Sequence, residues 1–177
     1  MVTFFLVSYD LYMDEITHRL FRHMVWSNES LFETIQLQPA EALRAYISDP
    51  EWNVARILRH LVGTMDWFYF CLTTTPERKA QTPKSMSDVA ELLTRLKEME
   101  ALIALELDHP EGWVTITEEG QDWQHLRSTI LAQTIYHCAE HRTQIVDALD
   151  SQGFHSVSLD DLTLWDMEKL EAIKSEK

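Results

Sequence analysis

Four stretches of this chain repeat apolar side chains at spacings of three, four and seven, the signature of helices that each present one apolar face. The first runs from about Leu11 to Ile35, carries Ile16, Leu20, Met24, Leu31 and Ile35, and stops before Pro39. The second spans about Asn53 to Thr73 with Val54, Ile57, Leu58, Leu61, Val62, Met65 and Phe68, and Asp49 with Pro50 marks a turn ahead of it. The third begins at Ser87, a residue suited to an N-cap, and reaches Leu107 through Val89, Leu92, Leu93, Leu96, Met99 and Ile103. The fourth covers Leu126 to Asp150, with Ile130, Leu131, Thr134, Cys138, His141, Ile145 and Leu149, and Gly153 stops it. None of these faces can be buried by its own helix. The expectation is an all-α fold, a four-helix bundle forming a single domain over residues 1–177.

The connections refine that expectation. AEALRAYISDPEW has room for a short helix, and TTTPERKAQTPKS is a polar, proline-containing loop long enough to cross one end of a bundle. WVTIT, EEGQ and DWQH read as a small hairpin before helix four, turning at Gly120. The tail SLDDLTLWDMEKLEAIKSEK predicts a short C-terminal helix capped by Ser158, with Leu162, Trp165 and Leu170 packed on the bundle. Only four glycines and five prolines occur in 177 residues, which suits a compact, mainly helical chain.

Acidic residues outnumber basic ones 29 to 15, for a formal charge of −14. A field of that sign repels a nucleic-acid backbone, no basic stripe offsets it, and the acidic excess reads as a solvated surface. Cys71 and Cys138 are too few for a disulfide framework and point to reduced thiols. MVTFFLV lacks the basic flank and length of a signal peptide, and no stretch reaches the roughly 20 apolar residues of a membrane span. A cytoplasmic protein with no membrane partner is expected.

The chemistry concentrates in TIYHCAEHRTQIVDAL, where His137 and His141 lie one helical turn apart on one face. His60 borders the apolar stripe of helix two, so three neutral imidazoles can meet between two helices. Such a set suits Zn²⁺, Ni²⁺ or a similar divalent ion and leaves positions open for water or substrate. Spacing alone leaves the alternative standing. With eight histidines, a pair four apart arises by accident on the order of one time in three, and a lone histidine on an apolar face is more often a hydrogen-bonded core residue. Against that, inward-facing imidazoles without partners carry a desolvation cost of several kcal/mol.

The order and spacing of three segments carry a family resemblance. His60 near the middle of helix two, the H-x₃-H-R-x-Q-I run from His137 to Ile145, and WSNESLFETI in helix one together resemble the DinB-like (DNA-damage-inducible) metal-binding four-helix bundles over nearly the whole chain. The resemblance implies a metal triad of His60, His137 and His141, followed by Arg142 and Gln144. It also implies a long crossover between helices two and three, here Thr73 to Ser85, and a homodimer. Thr143 departs from the pattern, since many relatives carry glycine there. Characterised relatives include thiol transferases and isomerases that use a low-molecular-weight thiol. The resemblance therefore implies a metal-dependent enzyme acting on a small molecule, with a non-catalytic metal-binding stress or interaction module as the alternative.

Several residues border that reading. Glu140 is a candidate general base or orienter of His141, with an exposed or arginine-paired carboxylate as its plain alternative. Cys138 projects about 100° from His137 and reads as a buried small hydrophobe. His137, Glu140 and His141 also spell H-x-x-E-H, a zinc-peptidase signature, yet that enzyme needs a downstream carboxylate ligand in a larger domain, and Glu168 and Glu171 sit in a short terminal helix. His23 stands one turn before Ser27 and could support the metal pocket, although a core or surface role is the simpler reading. His18, His109, His125 and His155 read as solvent-facing or loop residues. Trp26, Trp67 and Trp123 are candidates for a pocket mouth.

Overall fold

The computed structural model describes residues 3–154 and 158–175, with residues 3–14 and 118 described in their backbone alone. Helix α1 spans Thr3–Gln36 and a 3₁₀ turn follows at Ala40–Arg44; α2 spans Val54–Thr73 and α3 spans Met86–Ala104. Strands β1 (Trp113–Glu118) and β2 (Gln121–Leu126) precede α4 (Arg127–Ser151), a second 3₁₀ turn at Leu159–Leu162 and α5 (Leu164–Ser175). The described residues are thus mostly helical with one two-stranded antiparallel sheet, as the periodicity predicts. No described helix is long and apolar enough to cross a membrane.

The helices pack in four main pairs: α2 with α4, α1 with α3, α2 with α3, and α1 with α4. Helix α2 buries every apolar position that its pattern predicts, from Val54 to Phe68. Phe32, Ile35, Ile57, Leu58, Leu61, Met65, Leu96 and Ile145 are among the fully buried side chains, and burial of each contributes about 1.5–3 kcal/mol.

Several element ends differ from the sequence expectation. Helix α1 begins at Thr3 rather than Leu11, and its buried face is Phe21, Met24, Leu31, Phe32 and Ile35, while Ile16 and Leu20 stand 39% and 37% exposed. Ser85, not Ser87, caps α3: its hydroxyl accepts from the Asp88 amide at 3.2 Å and the Asp88 carboxylate accepts from the Ser85 amide at 3.1 Å. Only Ser85 has an acid three residues downstream, which is what a capping box requires. Helix α3 then ends at Ala104, before Leu107.

The hairpin forms in the register Trp113↔Leu126 to Glu118↔Gln121. Glu119 and Gly120 both take positive φ, 52° and 80°, as a two-residue turn matched to strand twist demands. In the tail, Ser158 caps the 3₁₀ turn by accepting from the Asp160 amide, rather than capping α5 itself. Leu162 and Met167 are buried there, whereas Trp165 is 75% and Leu170 43% exposed, so neither of the latter anchors the helix as expected. His155 lies outside the described residues.

Candidate metal centre

Packing of α2 against α4 decides which side chains meet. Asn53 ends the preceding turn and caps α2 by accepting from the Arg56 amide at 3.1 Å, which fixes the start of the helix two turns before His60. His137 and His141 project from one face of α4 toward it. Their ring centroids are 4.2 Å apart, and His60 lies 4.7 Å from His141 and 5.1 Å from His137. One nitrogen of each ring lies within 4.8 Å of the others, so the cluster could hold a metal ion. Metal–nitrogen bonds of about 2.1 Å place tetrahedral ligands roughly 3.4 Å apart, a closing within reach of small side-chain rotations.

The lone pair of His141 can be assigned from its neighbours. Trp52 Nε1, which can only donate, donates to Gln144 Oε1 at 3.1 Å, and this fixes the orientation of the Gln144 amide. His141 Nδ1 lies 2.9 Å from the same oxygen and must therefore donate to it as well. Its proton is on Nδ1. Nε2 is left with the free lone pair that a cation needs. The Trp52 ring covers the site, its centroid 5.3 Å from His60 and 5.9 Å from His141. It is held there by a turn in which the Glu51 amide donates to the Asp49 carboxylate and the Trp52 amide donates to the Asp49 carbonyl, both at 2.9 Å.

Burial favours the neutral form of His60 and His137. Desolvation first, and then the neighbouring His141 and His60, push His137 down to about 4. His60 is also lowered, by desolvation, His141 and Arg59 in that order. His137 Nε2 is buried and has no hydrogen-bond partner. A buried, neutral imidazole nitrogen left unpaired beside two others is the chemistry of a donor set suited to a divalent ion.

The remaining candidates separate clearly. Glu140 is exposed on the outer side of α4 and makes none of these contacts; the acceptor for His141 is Gln144, one turn further on. Cys138 is fully buried, its sulfur 3.7 Å from Met65 Sδ, and burial pushes its thiol up to about 12, as suits a small hydrophobe. Cys71 is likewise buried and reduced. Glu168 and Glu171 pair with Arg19 of α1 at 3.7 and 3.2 Å, and the histidine cluster includes no carboxylate among the described residues. The peptidase reading therefore lacks its remaining ligand.

His23 serves the tail instead of the centre: its Nε2 lies 2.7 Å from the Leu162 carbonyl and 3.2 Å from Ser27 Oγ. His18 and His109 pair with Asp108 and Glu106, at 3.0 and 3.3 Å, and His125 is half-buried in β2. Of the tryptophans proposed for a pocket mouth, Trp67 lines a cavity that includes His60, Trp26 lines another between α1, α3 and α5, and Trp123 is exposed on the hairpin. Trp52, which sequence reasoning placed in a mere connection, is the one that stacks on the centre. Its signal was the DPEWN run, a turn followed at once by a helix cap.

Arg142, next to His141 in sequence, faces α1 rather than α2. It donates to Asn28 Oδ1 at 2.6 Å, and Asn28 Nδ2 donates to Glu100 Oε1 of α3 at 2.9 Å. All three side chains are buried. The Asn of helix one and the Arg after the second histidine are thus joined in one structural cross-tie.

The DinB family model matches residues 13–175, nearly the whole chain, and the chain belongs to that family. No curated protein matches it.

Proposed function

We propose that this DinB family protein binds one divalent metal ion through His60, His137 and His141 and acts as a metal-dependent transferase or isomerase that uses a low-molecular-weight thiol. The observation that carries the reading is the convergence of three imidazole nitrogens within 4.8 Å, one of them buried without a partner. Zn²⁺ or Ni²⁺ suits such a donor set, and the bound ion supplies Lewis acidity that lowers the pKa of a thiol or water at an open position.

The chain's own residues do the positioning. Gln144 fixes the His141 ring through Nδ1, so its Nε2 points a lone pair into the centre. Trp52 braces Gln144 and covers the His60 and His141 rings, which limits water on that side. The lowered pKa values of His60 and His137 keep protons from competing for their nitrogens at neutral pH.

The helix pairings support a four-helix bundle forming a single domain, with the segment between α2 and α3 as its crossover. Exposed Ile16 and Leu20 on α1 support a homodimer that buries this strip, testable by sedimentation at micromolar concentration. The cytoplasm is the setting proposed for it.

A screen of low-molecular-weight thiols against an activated aryl halide, run with zinc- and nickel-loaded protein, tests the enzymatic reading. Conjugation that needs the metal, and that His137→Ala and His141→Ala abolish while circular dichroism is unchanged, supports it. Failure of every thiol, with both variants unfolded, favours a non-catalytic module held together by its ion.

A further inference from the structure

A cavity of about 650 Å³ opens beside His60, walled by Arg59 and Trp67 of α2 and by the crossover residues Arg78 and Lys79. The chain as a whole carries a charge of −14, yet this wall brings three cations together against the single carboxylate of Glu77. Arg78 is already engaged, 2.9 Å from Glu98. Arg59 has no hydrogen bond or ion pair among the described residues, and its Nε is buried without a partner. A guanidinium held partly out of water with its donors unmet costs free energy that an arriving anion recovers.

We infer that Arg59, with Lys79, forms an anion subsite beside the three-histidine centre, and that the substrate or thiol used there is a small molecule carrying a carboxylate. The inference deepens the proposed function and rests on it for the identity of the neighbouring centre. A planar guanidinium presents paired donors that match a carboxylate in a two-point contact, which a lysine cannot do. Arg59 and His60 both line this cavity, so an anion docked on Arg59 lies in the same space that His60 borders. Ala80 of the crossover is partly buried against the core and lies beside Gly63 of α2. Lys79, the residue before Ala80, lines the cavity and is exposed.

The test uses the full chain loaded with Co²⁺ and two thiol probes, mercaptosuccinate and the neutral 2-mercaptoethanol, followed through the thiolate-to-cobalt absorption band. The same titrations are made with Arg59→Gln and with the exposed-site variant Lys79→Gln, and succinate is titrated into the metal-free proteins through tryptophan fluorescence. The wild-type protein is expected to prefer mercaptosuccinate by roughly tenfold or more. Arg59→Gln is expected to remove that preference and Lys79→Gln to reduce it, with 2-mercaptoethanol binding unchanged in both. Equal affinity for the two thiols in the wild type, or a preference that survives both substitutions, overturns the subsite while leaving the metal reading intact. If cobalt is not taken up, or if no thiol reaches it, the metal-and-thiol reading fails and the succinate titration decides: binding lost in Arg59→Gln upholds the subsite, and no binding to the wild type overturns it.

Discussion

Two neighbouring residues of α4, His141 and Arg142, enter two different polar clusters, and the contrast separates structure from function. Arg142 turns to α1, where Asn28 accepts from it and passes a hydrogen bond on to Glu100. Arg142 Nη1 and Asn28 Nδ2 each meet an acceptor and tie three helices together, while Glu100 Oε2 is left buried without a partner. His141 turns to α2, where three imidazoles each bring a nitrogen within 4.8 Å of the others and His137 Nε2 is buried and unpaired. A buried cluster linked by hydrogen bonds from helix to helix ties the fold, whereas imidazole nitrogens gathered without a bond among them suit a cation from outside.

The comparison breaks most readily at the ligands. His137→Ala is expected to abolish stoichiometric metal binding, measured by calorimetric titration, while leaving the urea midpoint of the metal-free protein unchanged or raised, because it removes a buried unpaired nitrogen. Asn28→Leu should do the reverse. It strands Arg142 and Glu100, so unfolding in urea is expected to lose about 3 kcal/mol, with metal stoichiometry retained in the folded fraction. Should Asn28→Leu abolish metal binding in folded protein, the two clusters are not separable.

How much of this could be read in the sequence depends on the range of the interaction. Helical periodicity is a property of neighbours along the chain, so α2 and α4 emerge from Val54 to Phe68 and from Ile130 to Leu149 almost residue for residue. His60, His137 and His141 were legible as candidates because two share a helix face and the third lies on the helix that packs against it. Trp52 and Gln144 were harder to see: one is in a connection, the other follows the motif, and their bond spans 92 positions of sequence. Glu140 drew attention through adjacency, but adjacent helical residues point about 100° apart, and the outer face took it. The basic wall of the cavity was hidden for a similar reason, since Arg59 and Lys79 come from segments that only the folded crossover brings together.

Gln144→Leu sharpens the account of orientation. Losing the acceptor for His141 Nδ1 is expected to weaken metal binding about 10–100-fold with little change in fold, as read by competition with a chromophoric chelator.

The two clusters should also carry opposite pH signatures in metal-free protein. His137 is lowered to about 4, so between its ordinary value near 6.5 and 4 the unfolded chain binds a proton that the folded chain refuses, and stability falls as pH falls through that window. Glu100 is raised by burial to about 8, so the folded chain keeps a proton that the unfolded chain releases above about 4.5, and stability falls as pH rises from there to 8. Urea denaturation across pH 4–8 should show His137→Gln flattening the acid side and Glu100→Gln flattening the neutral side; exchange of these two effects would contradict the assignment. The smallest effect is expected from Trp52→Phe, which keeps a ring over the centre but loses the donor to Gln144, a hydrogen bond of about 0.5–1.5 kcal/mol, and should weaken metal binding only a few-fold.

X-ray absorption of the zinc-loaded full chain addresses the centre itself. The expected result is one zinc per chain with three imidazole nitrogens at about 2.0–2.1 Å, the rest of the coordination made by light atoms, and loss of one imidazole in His60→Ala. A spectrum with sulfur at about 2.3 Å, or with an imidazole count unchanged in His60→Ala, would contradict it.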